Sequence, residues 1–241
     1  MSFKLFIDFD GTVTREDIGE AFFLHFGGPS CGEYVREYRE GRISASECFR
    51  RETAAIGSLT LDETDRFLRT KPIVEGFPEF VRFCRELRLE IHIVSDGLDF
   101  YIRRILEHHG VGGLSLYSNQ LELEDLGGGR FRPAIVYPYR AEGCDRCACC
   151  KRNVLLSLSG EEDIVGYIGE GYSDRCAVQY ADVVFAKDDL QRFCQQENIS
   201  YYPYQDFFDV QARVDTLLSR KNLRKRRRAE LKRREAFLCE A

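Results

Sequence analysis

Four short, β-rich apolar runs, each closed by glycine or polar residues, constrain this chain more than anything else in it. They begin at Leu5 (LFIDFD), Ile91 (IHIVSDG), Ile164 (IVGYIGEG) and Val183 (VVFA). Between them, EFVRFCREL (79–87) and FYIRRILEHHG (100–110) place apolar residues three and four apart, which is helical spacing, and the second ends on Gly110. Strands alternating with helices predict an α/β fold, a Rossmann-like parallel sheet with helices on both faces. Residues 15–75 break the rhythm: DIGEAFFLHF, CGEYVREYRE and SASECFRRETAAI read as helices with no strand among them, and predict an inserted helical cap. A second insertion is expected at 114–145, where LSLYSNQLELED and RFRPAIVYPY flank three glycines as in a β-hairpin. The expected division is an α/β core in 1–14 and 76–219, a cap in 15–75 and a basic C-terminal tail in 220–241.

With 241 residues, 44% of them hydrophobic, the chain can bury a real core. No apolar stretch approaches the roughly 18 to 20 residues of a membrane-spanning helix, so no membrane insertion is expected. The first apolar run leads straight into DFDGT without a signal-peptide pattern, and the expectation is a cytoplasmic protein. Six of the ten cysteines are scattered singly, which suits free thiols better than a disulfide framework. Net charge is −5, unevenly spread: RKNLRKRRRAELKRR (220–234) is strongly basic and the body before it acidic. The tail fits a solvated terminal helix better than a nucleic-acid or anionic-surface contact, since no aromatic stacking platform accompanies it.

In open α/β sheets, ligands bind beyond the carboxyl ends of the strands, so polar residues ending successive strands converge. Asp8-Phe9-Asp10-Gly11-Thr12 follows the first run and Ser95-Asp96-Gly97 the second; Lys151 opens the helix before the third, and Gly169-Glu170-Gly171-Tyr172-Ser173-Asp174 follows it. If the first strand stops at Asp8, that carboxylate can project into the crevice while the backbone of Asp10 turns. Asp8, Asp10, Glu170 and Asp174 would then share one crevice with Lys151, too many carboxylates for one ammonium. A hard divalent cation such as Mg²⁺ balances them and stays open to a phosphate. Taken singly the motifs are bland, an Asx-turn, a helix N-cap and a surface lysine.

Taken in order, DFDGTVT, SDG, a lysine and GEGYSD resemble the haloacid dehalogenase superfamily over residues 5–187. The resemblance implies Asp8 as a nucleophile forming an aspartyl-phosphate and Asp10 as general acid, then base. It implies Ser95, with Asp96 and Gly97 beside it, and Lys151 as phosphate-binding residues. The Asp8 carboxylate, the Asp10 carbonyl and Glu170 would hold Mg²⁺, with Asp174 in or next to that set. Dehalogenases lack the second aspartate of the first motif and ion-pumping ATPases carry threonine there, so Asp10 favours a phosphatase. Glu170 departs from the family's usual aspartate by one methylene.

The helical insertion resembles the small-cap branch that includes phosphoserine phosphatases, whose substrate-reading glutamate corresponds here to Asp17, a candidate for substrate specificity as well as an N-cap. The SNQLEL run and CDRCACCK before the lysine resemble the methionine-salvage branch, phosphatases of 2-hydroxy-3-keto-5-methylthiopentenyl-1-phosphate. A small phosphorylated metabolite is therefore the expected substrate. Other readings are a phosphoserine-like or phosphocholine-like phosphatase, a phosphatase of nucleotides or nucleic-acid ends that uses the basic tail, and a non-catalytic binding protein. Cys144, Cys147, Cys149 and Cys150 open with a C-x-x-C pair and raise the prospect of Zn²⁺, against packed or redox-sensitive free thiols. His108 and His109, just before Gly110, read as helix-end residues.

Overall fold

The computed structural model describes residues 2–142, 146–219 and 223–239. Strand β1 (Phe3–Ile7) lies at the centre of the sheet, parallel to β3 (Glu90–Leu98) on one side and β6 (Ile164–Gly169) on the other. Beyond β6 come β7 (Val183–Ala186) and β8 (Tyr202–Pro203), both parallel; beyond β3 come β4 (Ser115–Gly127), β5 (Arg130–Val136) and β2 (Leu59–Thr60). The chain builds one side of β1 and then the other, so the carboxyl end of β1 is the switch point where a crevice forms.

Every residue of β6 and β7 is buried, as covered parallel strands require. Alternation along β1 divides the core: Leu5 and Ile7 pack with α5 (Phe77–Glu86), α6 (Asp99–His108) and α9 (Phe207–Leu218), while Phe6 faces α7 (Lys151–Leu158) and α8 (Asp188–Gln196). Residues 15–75 hold α1 (Ile18–Gly27), α2 (Ser30–Arg39), α3 (Ala45–Ile56) and α4 (Leu61–Arg69). Asp17, Ser44 and Thr60 start three of these by accepting from the backbone N–H three residues on. His108 and His109 tie α6 to this segment through Asp65 and the Lys71 carbonyl.

Three expectations need correction. The segment 15–75 does contain a strand, since Leu59–Thr60 pairs with Phe131–Arg130. The stretch 114–145 is more than an inserted hairpin: Ser115 to Tyr117 pair in parallel with His92 to Val94 as a core strand, and only from Gln120 does β4 turn to antiparallel pairing with β5. The hairpin itself turns through Gly127, Gly128 and Gly129, all at positive φ.

The third correction concerns the basic segment. Helix α10 (Arg227–Cys239) and the residues before it lie against the body instead of standing in solvent. Arg233 is buried and forks onto both carboxylate oxygens of buried Asp182, at 2.9 and 3.1 Å. Arg226 donates to the carbonyls of Val178 (2.6 Å) and Gln179 (3.1 Å), Ala229 is fully buried, and Lys225, Arg228 and Lys232 bond to Glu161, Glu197 and Gln179. Part of the charge is engaged within the fold: buried Asp182 is matched by Arg233, as a buried carboxylate requires a paired, hydrogen-bonded cation. No described helix is long and apolar enough to cross a membrane.

Candidate active site

The ladder between β1 and β6 ends with Asp8, whose N–H donates to the Ile168 carbonyl at 2.9 Å. The chain then turns, Gly11 taking a φ of +70° that favours glycine, so Asp8 and Asp10 are released from strand alternation. Asp8 Oδ1 accepts from the Phe9 N–H (2.8 Å) and from Lys151 Nζ (2.6 Å). Lys151, the first residue of α7 and only 2% exposed, also reaches Ser173 Oγ (2.8 Å) and Asp174 Oδ1 (2.7 Å). One ammonium thus spends all three of its N–H bonds on groups from two other strand ends.

Asp174 is engaged at both oxygens: Oδ1 accepts from Lys151 and the Tyr167 hydroxyl (2.6 Å), Oδ2 from the N–H groups of Glu170 and Gly171 (3.0 Å each). It anchors the lysine and the loop after β6. The Glu170 side chain lies against the Gly11 turn, where a Cβ on Gly11 would stand 3.0 Å from its carboxyl carbon.

Asp10 is held on every side. Its Oδ1 accepts from the N–H groups of Ile18 (3.1 Å) and Gly19 (3.3 Å) at the start of α1, and its Oδ2 from Ser95 Oγ (3.0 Å) and the Tyr101 hydroxyl (3.3 Å). Ser95 Oγ in turn accepts from the Gly97 N–H at 2.8 Å. Ser95 therefore positions Asp10 here, and Ser95-Asp96-Gly97 is not a helix N-cap: α6 is preceded by Leu98. Gly97 leaves no free space for a side chain, since a Cβ would overlap the Tyr101 hydroxyl and come within 2.6 Å of Asp10 Oδ2. Asp96 faces the cysteine-bearing loop, accepting from the Cys149 N–H at 2.6 Å, and its carbonyl accepts from Asn119 Nδ2 at 2.5 Å.

The electrostatics follow from burial. Desolvation and then Asp174 raise the Asp8 carboxyl, against the pull of Lys151. Burial and Asp17 push Asp10 up to about 7; burial, Asp174 and Asp188 push Glu170 to about 7; burial lifts Asp96 to about 6. Burial opposes the Lys151 ammonium, but Asp174 and Asp8 outweigh it and its pKa rises. One buried ammonium does not offset the desolvation of four carboxyl groups, so the set favours added positive charge. The donors are hard oxygens, which suit Mg²⁺. Asp10 and Asp174 have their carboxylates spent on hydrogen bonds, whereas both bonds to Asp8 fall on Oδ1 and the Glu170 carboxyl faces the turn. The residues present fit the ion.

These groups open into a cleft of about 1040 Å³ between the strand ends and α1 to α3, lined by Asp8, Asp10, Lys151 and Glu170 below and by Asp17 and Glu52 from the helices above. Tyr38 on α2 donates to the Arg146 carbonyl at 2.5 Å, closing one side. Ser173, Tyr101 and Tyr167 are members that the sequence reading missed; Ser173 lay inside the quoted GEGYSD motif, but the tyrosines carry no local signal.

The zinc expectation finds no support among the described residues, where Cys147, Cys149 and Cys150 do not converge as a metal site. Cys149 Sγ points to the Tyr117 carbonyl (3.8 Å), while Cys147 and Cys150 hydrogen-bond to each other; Cys144 lies outside the described residues. Adjacent residues turned to opposite sides cannot give a tetrahedral thiolate set. The Cys147 contact, against the cost of burial, lowers the Cys150 thiol to about 6.

Residues 4–205 match the family described as "Putative Phosphatase". The chain belongs to that family. Its relatives include the 2-hydroxy-3-keto-5-methylthiopentenyl-1-phosphate phosphatases of Bacillus thuringiensis (strain Al Hakam), 30% identical over 228 residues, and Bacillus cereus (strain B4264), 29% identical over 224 residues; each alignment covers 90% of this chain and 98% of the relative. Among solved structures, a phosphoserine phosphatase captured as an analogue of its phospho-aspartyl intermediate matches with a TM-score of 0.67 at 16% identity, over 88% of this chain and 99% of that one. Cytosolic 5'-nucleotidase IIIB bound to cytidine matches with a TM-score of 0.60 at 14% identity, over 98% and 87%. This member of the family is thus a phosphatase with the haloacid dehalogenase fold, as the ordered motifs led one to expect.

Proposed function

We propose that the protein is a Mg²⁺-dependent phosphomonoesterase that hydrolyses a small phosphorylated metabolite through an aspartyl-phosphate on Asp8. The observation that carries this reading is Lys151 Nζ joining Asp8, Ser173 and Asp174 beneath a cleft in which a second carboxyl of the first motif, Asp10, is raised to about 7. Asp8 needs no proton removed before it attacks phosphorus, which divides the hydrolysis into two displacements. Lys151 neutralises charge on the transferring group, and Ser95 and the Gly97 N–H, which here bond to Asp10 and to Ser95, would turn to its oxygens when it binds. Asp10, protonated in a good part of the molecules at neutral pH, gives its proton to the leaving oxygen and then takes one from the attacking water. Asp8, Glu170 and the Asp10 carbonyl would hold Mg²⁺, which when bound supplies positive charge to the phosphoryl oxygens. Asp174 acts through Lys151. Helices α1 to α3 exclude water from the intermediate.

The alignment over 98% of the Bacillus relatives supports 2-hydroxy-3-keto-5-methylthiopentenyl-1-phosphate, or a metabolite like it, as substrate. Asp17 remains a specificity candidate at the cleft, although its Oδ1 also accepts from the Glu20 N–H at 2.8 Å. Engagement of Arg226, Lys232 and Arg233 within the fold weighs against capture of nucleic-acid ends. None of the eight cysteines whose side chains are described is joined in a disulfide, which suits a reducing cytoplasm. The test is hydrolysis of p-nitrophenyl phosphate with and without Mg²⁺, followed by a metabolite panel ranked by kcat/KM. Turnover that Asp8→Asn abolishes in a folded protein, and that chelation removes, supports the reading. A well-folded wild-type protein inert toward every phosphomonoester at saturating Mg²⁺ would end it.

A further inference from the structure

The cap wall of the cleft contains a buried carboxyl for which the chemistry above has no use. Ala45, Cys48, Phe49 and Glu52 recur at helical spacing along one face of α3, and all four line the cleft. Glu52 is only 3% exposed, and its hydrogen bond is with the Cys48 thiol. The neighbouring arginines serve other carboxylates, Arg51 binding Glu37 and Glu47 and Arg39 binding Glu20; among the described residues no cation pairs with Glu52. Burial pushes its carboxyl up to about 8, Cys48 pulling the other way and Asp17 and Glu20 adding to the rise. Asp17 also raises Asp10, so a single carboxylate lies within electrostatic reach of both the proton-transfer group and Glu52. Asp8, Asp17 and Glu52 line the same cleft, so a small molecule whose phosphate sits at Asp8 can extend past Asp17 to α3.

An undissociated carboxyl in such a wall both donates and accepts a hydrogen bond, and it carries no charge to be compensated. We infer that Glu52 reads the leaving group, donating a hydrogen bond to a carbonyl or hydroxyl oxygen of a leaving group that is itself uncharged and partly apolar and whose apolar end packs on Phe23, Phe49 and Cys48. This rests on the phosphatase reading and specifies its substrate class as the phosphomonoester of a keto or hydroxy compound without further charge. An ammonium-bearing leaving group would instead require Glu52 to ionise beside a thiol and two aromatic rings.

The experiment measures kcat/KM for 5-methylthioribulose 1-phosphate, phosphocholine and p-nitrophenyl phosphate in the full chain, comparing wild type with Glu52→Gln and Glu52→Leu. The readout is the ratio of each metabolite to the aryl phosphate, which cancels general damage to the catalytic groups. Glu52→Gln keeps a neutral donor of the same shape, so its ratio for the methylthio sugar phosphate should stay within about threefold of wild type. In Glu52→Leu that ratio should fall at least about tenfold, mainly through KM, the scale of one lost buried hydrogen bond. The wild-type ratio should also fall above pH 8 as Glu52 ionises, and that of Glu52→Gln should not. Equal ratios in all three proteins would overturn the inference, as would a wild-type preference for phosphocholine that Glu52→Gln and Glu52→Leu destroy alike. Wild-type protein inactive even on the aryl phosphate would remove the phosphatase reading and this inference with it, a result distinct from unchanged ratios.

Discussion

Adding one methyl group at Gly97 tests how closely Asp10 must be held. The new Cβ would stand 2.6 Å from Asp10 Oδ2, whereas ordinary contact begins at 3.4 Å, so the carboxyl must retreat by about 0.8 Å if the backbone stays fixed. Asp10 has little room to do so, gripped by the Ile18 and Gly19 N–H groups, Ser95 and Tyr101. Misplacement of a reacting group by about 1 Å costs roughly a hundredfold in rate, so Gly97→Ala should lower kcat for p-nitrophenyl phosphate by about 10- to 100-fold. That corresponds to about 1.4 to 2.7 kcal/mol of transition-state stabilisation. Overpacking also destabilises, by about 1 to 3 kcal/mol, which a thermal melt read alongside separates from unfolding. Tyr101→Phe removes the hydroxyl that the same Cβ overlaps; if the tyrosine transmits part of the displacement, the double variant recovers part of the lost rate. A folded Gly97→Ala protein with kcat within about threefold of wild type would refute the claim that Asp10 geometry limits the reaction.

Since burial and Asp17 hold Asp10 at about 7, and proton donation needs the acid form, kcat/KM for an alkyl phosphate should fall as pH rises through about 7, and less so for p-nitrophenyl phosphate, whose leaving group needs no proton. Asp17→Asn should move that limb to lower pH; an unmoved profile would remove Asp17 as a cause. Stability without metal should run the same way: Glu170 and Asp10 are raised to about 7 from unfolded values near 4, so their contribution is complete below about pH 4 and is lost as pH rises through 7. The melting temperature of chelated protein should therefore fall between pH 5 and 8, and Mg²⁺ should restore it; a flat profile without response to Mg²⁺ contradicts the reading of the carboxylate set. Arg233→Met leaves Asp182 buried with only the Val165 and Arg226 N–H groups, so a loss of about 3 kcal/mol is expected, about 6 to 12 °C by calorimetry, relieved by adding Asp182→Asn. A shift below 1 °C would mean that the helix is not docked in solution.

The parts of the site that sit at strand ends were legible because a fold rule places them: an alternating α/β chain brings Asp8, Ser95 and the GEGYSD loop together, and Lys151 opened a helix as its position implied. What the sequence concealed were the choices each side chain makes once there. Nothing in the spacing says that Asp174 spends all its oxygens on Lys151, Tyr167 and two backbone N–H groups, or that Ser95 turns to Asp10. β4 was misread because one run changes partner along its length; the LELED alternation suits a half-covered antiparallel strand, whereas SLY before it pairs in parallel with β3 in the main sheet. The basic segment hid its role because Asp182, its partner, looks like any surface aspartate in YADVV until β6 and α10 close over it. A stripe was available in Arg226, Ala229 and Arg233, three and four residues apart, but a charge run draws the eye to its total and not to its periodicity.

The clasp between Arg233 and Asp182 also bears on how the molecule comes into being. Residues 226–233 leave the ribosome after every strand of the sheet, so the nascent α/β body must wait with a carboxylate at its edge unanswered until they arrive. Proteolytic trimming within that segment would strand the same anion in an otherwise finished protein, and any fusion placed there should be judged by whether the arginine can still reach home.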